Sequence, residues 1–254
     1  MKVLVTGASS GIGRDIAREF AKRKYDLVLV ARNVERLEEL KKELVNEYKV
    51  NAEFLSYDLS KRENCIDLYA KVKDVDILVN NAGLGDFGEF SETELTKDFS
   101  IIDTNITSVH VLTKLYLKDM KEKNSGRILN VASIAGFMPG PLMATYYASK
   151  NYVVRLSEAI REELHKSKSN VKISILCPGP VRTNFNNVAN VKFELSSLSS
   201  EYVAKYTIEK LLKDKFYIVP GKLIKIGKVL SKIVPTPIVA KVCYKMQKSK
   251  ENNK

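Results

Sequence analysis

Short apolar runs alternate along the chain with longer stretches in which apolar positions recur at helical spacing. The runs are rich in Val, Ile and Leu and lack regular polar alternation, which is typical of strands buried on both faces of a parallel sheet. They predict strands at Lys2–Thr6, Asp26–Ala31, Ala52–Tyr57, Val75–Asn80, Gly126–Ala132, Val171–Cys177 and Phe216–Val219.

Helical segments separate or follow these strands and complete a series of β-α units. They are predicted at Gly11–Lys24, Val34–Tyr48, Lys61–Val72, Phe99–Lys123, Ala144–Lys166 and Ser200–Leu212. Such alternation winds right-handed into an open parallel sheet with helices on both faces. The sequence therefore predicts an α/β fold, a doubly wound parallel sheet of the Rossmann type, as one domain over residues 1–220. An amphipathic helical extension is predicted over residues 221–254.

A glycine-rich turn, Thr-Gly-Ala-Ser-Ser-Gly-Ile-Gly from residue 6, joins the first strand to the first helix. Glycines allow a tight turn and a close approach to a pyrophosphate, and the helix N-terminus presents free N–H groups. The turn alone would fit an ordinary loop, but its position inside a βαβ unit favours dinucleotide binding. We expect cofactor contacts from Gly7, Ser9, Ser10, Gly11, Ile12 and Gly13.

The second strand ends at Ala31, where dinucleotide folds usually carry an acid for the adenosine ribose. Arg32 and Asn33 follow, and a guanidinium accommodates a ribose 2′-phosphate that an acid would repel. The sequence therefore favours NADP(H) over NAD(H), unless Arg32 is only a solvated residue at the start of a helix. Asp58 and Leu59 follow the third strand and are candidate adenine contacts, although Asp58 fits a helix cap equally well.

Candidate catalytic groups follow the fifth strand. Tyr146 and Lys150 are four residues apart, so on a helix both side chains leave the same face. The lysine ammonium, together with the charge of an oxidised nicotinamide, is expected to lower the tyrosine pKa from about 10 towards about 7. Tyr146 would then exchange a proton with a carbonyl or alcohol oxygen, which Ser133 would hold by a hydrogen bond.

Taken together and in this order, these motifs resemble the short-chain dehydrogenase/reductase family over roughly residues 1–220. The motifs are Thr6-Gly7-x-x-x-Gly11-x-Gly13, Asn80-Asn81-Ala82-Gly83, Asn105, Ser133, Tyr146-x-x-x-Lys150 and Pro178-Gly179. The resemblance implies a hydride transfer between nicotinamide and a carbonyl or alcohol carbon, with Tyr146 as the acid/base. It implies that Asn105 holds a water against Lys150, which also grips the nicotinamide ribose. Further cofactor contacts are implied for Asn81, Ala82, Gly83, Pro178, Gly179, Val181 and Thr183, and a homodimer or homotetramer is implied as the assembly.

Three segments are expected to wall a substrate pocket: Leu84–Phe90, Ile134–Met143 and Phe185–Leu195. They carry Phe87, Phe137, Met138, Leu142, Met143 and Phe185, with few charges nearby. An apolar carbonyl or alcohol substrate is therefore favoured over a small charged one. Two other functions remain open: a 3-oxoacyl-thioester reductase of lipid metabolism, which would share these residues, and a catalytically idle nucleotide-binding regulator, which would have no need of them.

The net charge of +12 is concentrated at the C-terminal end. From residue 213 onwards, eleven lysines face two acidic residues, so the rest of the chain carries only +3. This distribution gives no indication of nucleic-acid binding by the domain.

The extension itself is predicted to be a basic amphipathic helix over Lys222–Val234, followed by a second segment at Ile238–Gln247. In the first helix Leu223, Ile226, Val229, Leu230, Ile233 and Val234 share one face, and Lys225, Lys228 and Lys232 share another. Such a helix either lies on an anionic membrane through the 222–247 region or packs on protein. Packing is favoured, because most amphipathic helices of soluble proteins bury their apolar face.

The three cysteines are widely spaced and include no C-x-x-C pair, so we expect neither disulfides nor a metal cluster. The short apolar run at the N-terminus is no signal peptide, and no apolar stretch approaches the length of a membrane span. A cytoplasmic location, with membrane association as the alternative, is the resulting expectation.

Overall fold

The computed structural model describes residues 1–183, 197–221, 224–226 and 233–249. Within these residues the strands are β1 (Lys2–Thr6), β2 (Asp26–Ala31), β3 (Ala52–Ser56), β4 (Ile77–Asn80), β5 (Arg127–Val131), β6 (Lys172–Leu176), β7 (Val181–Arg182), β8 (Leu198–Ser199) and β9 (Tyr217–Ile218). The α-helices are α1 (Gly11–Ala21), α2 (Val34–Tyr48), α3 (Arg62–Lys71), α4 (Leu95–Ile102), α5 (Ser108–Glu122), α6 (Ala144–Lys166), α7 (Ser200–Leu211) and α8 (Thr236–Lys248). The seven predicted strands are all present, and the segment predicted at Ile238–Gln247 is the body of α8.

Seven strands form one parallel sheet in the order β3-β2-β1-β4-β5-β6-β9, and β7 pairs with β8 in a separate small sheet. The order reverses between β1 and β4, because the chain winds first to one side of β1 and then to the other. In doubly wound sheets the ligand crevice lies beyond the carboxyl ends of the strands at this switch point. The predicted fold class is confirmed, and the topology fixes where a site should lie.

Two apolar cores lie on opposite faces of the sheet, because consecutive strand residues point to opposite sides. In β1, Leu4 belongs to one core, whereas Val3 and Val5 belong to the other. Helices α3, α5 and α6 cover the first face, and α1, α2 and α7 cover the second. Burial on both faces explains why the strands are continuous apolar runs.

The long helix predicted at Phe99–Lys123 is wrong in one respect. The structure starts earlier, with α4 at Leu95, and separates α4 from α5 by a turn of π-helix over Asp103–Thr107. A π-helical turn inserts a residue into the helix and often marks a functional position. Apolar periodicity does not reveal such an insertion, because the flanking turns remain helical. Asn105 lies within this turn.

The first part of the extension differs from its prediction as well. Ile226 and Ile233, expected on a buried stripe, are 56% and 72% exposed. Leu223, Lys228, Val229, Leu230 and Lys232 lie outside the described residues, as does the segment Phe185–Leu195. No helix of the described chain is long and apolar enough to cross a membrane.

Candidate active site

A cleft of about 830 Å³ runs along the carboxyl ends of the strands. Its volume lies in the range of ligand sites, which is ~300–1,000 Å³. Most of the residues predicted to contact a dinucleotide line this cleft. They are Gly7, Ser9, Ser10, Gly11, Ile12, Arg32, Asn33, Asp58, Leu59, Asn81, Ala82, Gly83, Tyr146, Lys150, Pro178, Gly179, Val181 and Thr183. Of the predicted cofactor-binding and catalytic residues, Gly13 and Asn105 do not line it.

The glycine-rich turn after β1 is shaped by backbone conformations that favour glycine. Gly7 has φ +65° and Gly11 has φ +53°, both in the left-handed region. Gly13 lies beneath the turn, where a Cβ would come within 2.4 Å of the Gly7 carbonyl oxygen and 2.3 Å of the Asn81 amide nitrogen. Packing therefore requires glycine at residue 13, and its expected cofactor contact stays a prediction.

The N-terminus of α1 points its first-turn N–H groups towards this turn. Ser10 occupies the N-cap position, but its side chain makes no capping hydrogen bond. The first N–H groups of a helix lack intrahelical partners, and together with the helix dipole they favour an anion. The predicted position of the glycine-rich turn, between the first strand and the first helix, is confirmed, and its binding of a phosphate stays a prediction.

Asn81 locks the end of β4 to the end of β1. Its backbone N–H and that of Ala82 both donate to the Thr6 hydroxyl, at 2.9 and 3.0 Å. Its side-chain amide donates to the carbonyl oxygens of Thr6 and Gly7, at 3.0 and 3.2 Å. Asn81 thus holds the glycine-rich turn in place as well as lining the cleft.

Two arginines line the end of the cleft formed by β2 and α2. Arg32 was expected there, but Arg36, in the first turn of α2, was missed. The Asn33 side chain accepts a hydrogen bond of 2.8 Å from the Arg36 backbone N–H and so caps α2. The signal for Arg36 was its position in the first turn of the helix that begins directly after Arg32 and Asn33, which keeps a second guanidinium at the same end of the cleft.

Asp58 does not cap the helix that follows, since the N-cap of α3 is Lys61. Its carboxylate accepts hydrogen bonds from the backbone and the hydroxyl of Ser60, at 3.1 and 2.8 Å. Burial alone would raise the pKa of Asp58, but these bonds and the charge of Arg32 hold it below its usual value. Asp58 is therefore an ionised acceptor in the wall of the cleft.

The catalytic candidates meet where β5 and α6 approach each other. Tyr146 and Lys150 both line the cleft from α6, and the Lys150 Nζ lies 5.8 Å from the centre of the Tyr146 ring. Ser133, directly after β5, hydrogen-bonds Tyr146, and its oxygen also accepts from the Ala135 N–H at 3.2 Å. The structure thus brings together the three residues that the sequence grouped.

In the chain without a nucleotide, the pKa of Tyr146 is raised, whereas the expected lowering included the charge of an oxidised nicotinamide. Burial raises it to about 12, and the hydrogen bond with Ser133 lowers it only in part. The Lys150 amine is itself buried, which lowers its pKa to about 8, and it donates to the Val131 carbonyl oxygen at 3.0 Å. The chain alone therefore favours the neutral phenol, because the charge of an oxidised nicotinamide belongs to the cofactor.

Asn105 is fully buried and hydrogen-bonds two segments next to the candidate catalytic residues. Its side chain donates to the Leu84 carbonyl oxygen and to the Ser149 hydroxyl, both at 2.9 Å, and accepts from the Leu84 N–H at 2.8 Å. A Cβ on Gly83 would lie 3.3 Å from the Asn105 oxygen and 3.4 Å from the Lys150 Nζ. The Asn105 side chain thus ties the loop after β4 to α6, and its expected role of holding a water against Lys150 stays a prediction.

The loop after β6 closes the nicotinamide side of the predicted site. The Pro178 carbonyl oxygen accepts a hydrogen bond of 2.9 Å from the Ile134 N–H, which joins this loop to the one carrying Ser133. Thr183 lies against the glycine-rich turn, where a Cβ on Gly11 would come within 3.0 Å of it. The predicted contacts of this loop therefore all face the cleft.

The substrate walls were predicted only in part. Met138 and Met143 line the cleft, but among the described residues Phe87, Phe137 and Leu142 do not. Phe137 is buried in a core, and Phe87 packs behind Met143. Helix α8 supplies walls that the sequence did not assign: Val239, Val242, Cys243, Met246 and Gln247.

The chain matches the family model described as short chain dehydrogenase over residues 1–192. It is 33% identical over 202 residues to the very-long-chain 3-oxoacyl-CoA reductase of Anas platyrhynchos, covering 75% of this chain and 63% of that protein. The chain therefore spans less than two thirds of that relative's length.

Solved structures agree with this fold. A short-chain dehydrogenase from Sphingobium yanoikuyae in complex with NADPH has a TM-score of 0.82 and 28% identity, covering 92% of this chain and 96% of that one. A short-chain dehydrogenase/reductase from Burkholderia phymatum in complex with NAD has a TM-score of 0.82 and 26% identity, covering 90% and 92%. By sequence and by fold, the chain belongs to the short-chain dehydrogenase/reductase family of oxidoreductases acting on carbonyl or alcohol groups.

Proposed function

We propose that the protein is an NADPH-dependent reductase of an apolar carbonyl compound, with Tyr146 as the proton donor. The observation that carries this proposal is the Ser133, Tyr146 and Lys150 group at the edge of a cleft that also contains the glycine-rich turn. Bound NADPH supplies a hydride, and the chain's residues supply the proton and the orientation.

The nucleotide side of the cleft fits a dinucleotide. The uncapped start of α1 suits a phosphate, and the left-handed backbone conformations of Gly7 and Gly11 shape the turn that lines the cleft beside it. Arg32 and Arg36 favour a 2′-phosphate, and Ala31 offers no carboxylate for a free ribose hydroxyl pair. These features support NADPH over NADH.

The proton chemistry follows from the environment of Tyr146. A phenol whose pKa is raised to about 12 remains protonated at neutral pH and is ready to donate to a carbonyl oxygen. Ser133 is placed to share that oxygen's developing negative charge. Asn105 acts as a positioning residue, because it fixes the loop beside Lys150 and the helix turn that carries Ser149.

A 3-oxoacyl-thioester reductase is the second candidate function. It is favoured by the name of the Anas platyrhynchos relative, a very-long-chain 3-oxoacyl-CoA reductase. The two candidates share the catalytic residues and differ in whether the thioester contributes to recognition.

The test is a panel of aldehydes, ketones and 3-oxoacyl-CoA thioesters, with consumption of NADPH and NADH followed by absorbance. Selective NADPH oxidation with simple ketones supports the first candidate, and selective use of thioesters supports the second. Tight NADPH binding without turnover of any compound in the panel would instead indicate a catalytically idle nucleotide-binding regulator.

The same proposal includes contact of the outer face of α8 with an anionic membrane surface. Ile238 and Tyr244 are 53% and 41% exposed outside the cleft lining, and the exposed Lys241 and Lys245 lie beside them. Apolar groups flanked by lysines complement a negatively charged lipid surface. The inner face of α8 packs on the domain, so only the outer face is offered to lipid.

A homodimer or homotetramer is proposed as well. Helix α4 exposes the large apolar side chains of Leu95, Phe99 and Ile102, which a second copy of the chain would cover. Light scattering coupled to gel filtration measures the assembly directly, and a monomer at micromolar concentration would contradict it.

A further inference from the structure

Helix α8 lies along the part of the cleft next to the catalytic group. Its Cys243 Sγ is 3.5 Å from the Met138 Sδ, and its Gln247 amide donates a hydrogen bond of 2.8 Å to the Tyr147 hydroxyl. Cys243 and Gln247 are buried, although they follow the last strand of the sheet by more than twenty residues. The helix is therefore fixed to the domain at two successive turns.

The space between α8 and the loop before α6 is apolar. Met138 and Met143 face it from the loop side, and Val239 and Met246 face it from α8. Between α8 and α6, in the described part of the chain, the Tyr147 hydroxyl accepts a hydrogen bond from the Gln247 amide, so these two polar groups satisfy each other. A bound group at this position therefore meets aliphatic and sulfur-containing side chains.

Charges along the described lining are segregated towards the other end of the cleft. Arg32, Arg36 and Asp58 lie at the β2 and β3 end. Lys150 is the charged residue next to Tyr146, and its amine donates to the Val131 carbonyl oxygen. Among the described lining residues, those contributed by α8 and by Met138 and Met143 carry no charge that would compensate one on the substrate, and burying an unpaired charge is costly.

The apolar space is open at one end. Val242 and Met246 line the cleft while being 52% and 49% exposed, so they border its mouth. A chain held between α8 and the loop can extend past them, whereas a closed pocket would limit its length. Unbranched methionine side chains adapt to such a ligand better than rigid ones do.

We propose that α8, with Met138 and Met143, forms a binding subsite for an unbranched hydrocarbon chain attached to the carbonyl group that is reduced. The proposal rests on the proposed reductase function and adds the substrate class. The helix selects substrates by the length of this chain, and the bond between Gln247 and Tyr147 holds the wall in place.

The experiment measures kcat/KM with NADPH for methyl ketones whose alkyl group is lengthened from propyl to undecyl. For the unaltered protein we expect kcat/KM to rise with each added methylene until the chain passes the mouth of the cleft. A Val239→Phe variant should lose about tenfold or more for the undecyl ketone and much less for the propyl ketone, since about two buried methylenes account for a factor of this size.

Met246→Ala provides a second variant at a half-exposed position, where a folding defect is not expected, and it should also flatten the dependence on length. Ile66→Phe is the matched control, because it adds the same ring at an exposed site on α3, far from the cleft, and should leave the profile unchanged. Circular dichroism and NADPH binding check that each variant is folded.

A kcat/KM that does not depend on chain length in the unaltered protein, or a Val239→Phe variant that lowers all ketones equally, would overturn the subsite while leaving the reductase intact. Absence of turnover with every ketone despite NADPH binding would instead refute the proposed function itself.

Discussion

Gln247 and Tyr147 are joined by a hydrogen bond of 2.8 Å, although they lie one hundred positions apart in the sequence. Tyr147 is the neighbour of Tyr146, so this bond connects the catalytic helix to α8. The two aromatic rings meet edge to face, with centres 6.0 Å apart. The Gln247 side chain of α8 therefore bonds the residue next to the proposed proton donor, Tyr146.

Removal of the proposed proton donor should stop the chemistry without preventing nucleotide binding. For Tyr146→Phe we expect kcat to fall by at least about a hundredfold, as for the loss of a general acid. NADPH affinity, measured by fluorescence titration, should change little. The matched control is Tyr152→Phe, also on α6, whose hydroxyl bonds His110. Near-normal kcat in Tyr146→Phe would refute the assignment.

Cofactor preference should depend on both arginines at the β2 end of the cleft. We expect Arg32→Ala and Arg36→Ala each to reduce the preference for NADPH over NADH by about ten- to a hundredfold, because hydrogen bonds to charged groups are lost. The ratio of kcat/KM for the two cofactors is the readout. Arg62→Ala, at an exposed position outside the cleft lining, is the control. An unchanged ratio in both variants would exclude a 2′-phosphate site here.

Reduction should decline on the alkaline side because of Lys150. Burial lowers the pKa of its amine to about 8, so the charged form is present below that pH and is lost above it. Since the ammonium is expected to hold the nicotinamide ribose, kcat/KM should fall above about pH 8, where it reports on the free enzyme. Tyr146, with a pKa near 12, stays protonated through this window. A profile that is flat to pH 10 would contradict this role of Lys150.

A buried amide cluster beneath the site should contribute to stability. Asn80 donates to Asn130 at 2.9 Å, and Asn130 donates to Ser157 on α6 at 2.9 Å. For Asn130→Ala we expect the free energy of unfolding to fall by about 1–3 kcal/mol, because buried polar groups lose their partners. Urea denaturation measures the change. The control Asn46→Ala, at an exposed position of α2, should change the free energy of unfolding by no more than about 0.5 kcal/mol. Equal changes in both variants would show that the amide cluster does not stabilise the fold.

Membrane contact through α8 should depend on its outer lysines. We expect the protein to cosediment with vesicles containing phosphatidylserine and not with vesicles of phosphatidylcholine alone. Reversal of both charges, Lys241→Glu with Lys245→Glu, should weaken binding by at least about tenfold, given ~1 kcal/mol per lysine near an anionic surface. The same double change at Lys114 and Lys118, exposed on α5, is the control. No sedimentation with either vesicle would dismiss the contact.

The sequence predicted the features that depend on local pattern. Apolar runs located every strand of the main sheet, because burial on both faces leaves an uninterrupted signal. The spacing of Tyr146 and Lys150 predicted that both side chains leave one face of a helix, and both line the cleft from α6. The apolar runs and the four-residue spacing are both properties of short segments of the sequence.

Features set by tertiary contacts were not predictable in the same way. The buried position of Asn105 depends on a π-helical turn, which leaves no trace in apolar spacing. The role of α8 in the cleft depends on a contact between residues one hundred positions apart. The direction of the Tyr146 pKa depends on how deeply the ring is buried, and this is a property of the assembled fold.

Sulfur is distributed unevenly along the cleft. Met138, Met143, Cys243 and Met246 all face its α8 end, and among the described residues no sulfur lines the part around the glycine-rich turn. Peroxide converts a methionine thioether into a polar sulfoxide. Oxidation would therefore make the α8 end of the cleft polar first. The protein would then bind apolar compounds more weakly while still binding its nucleotide.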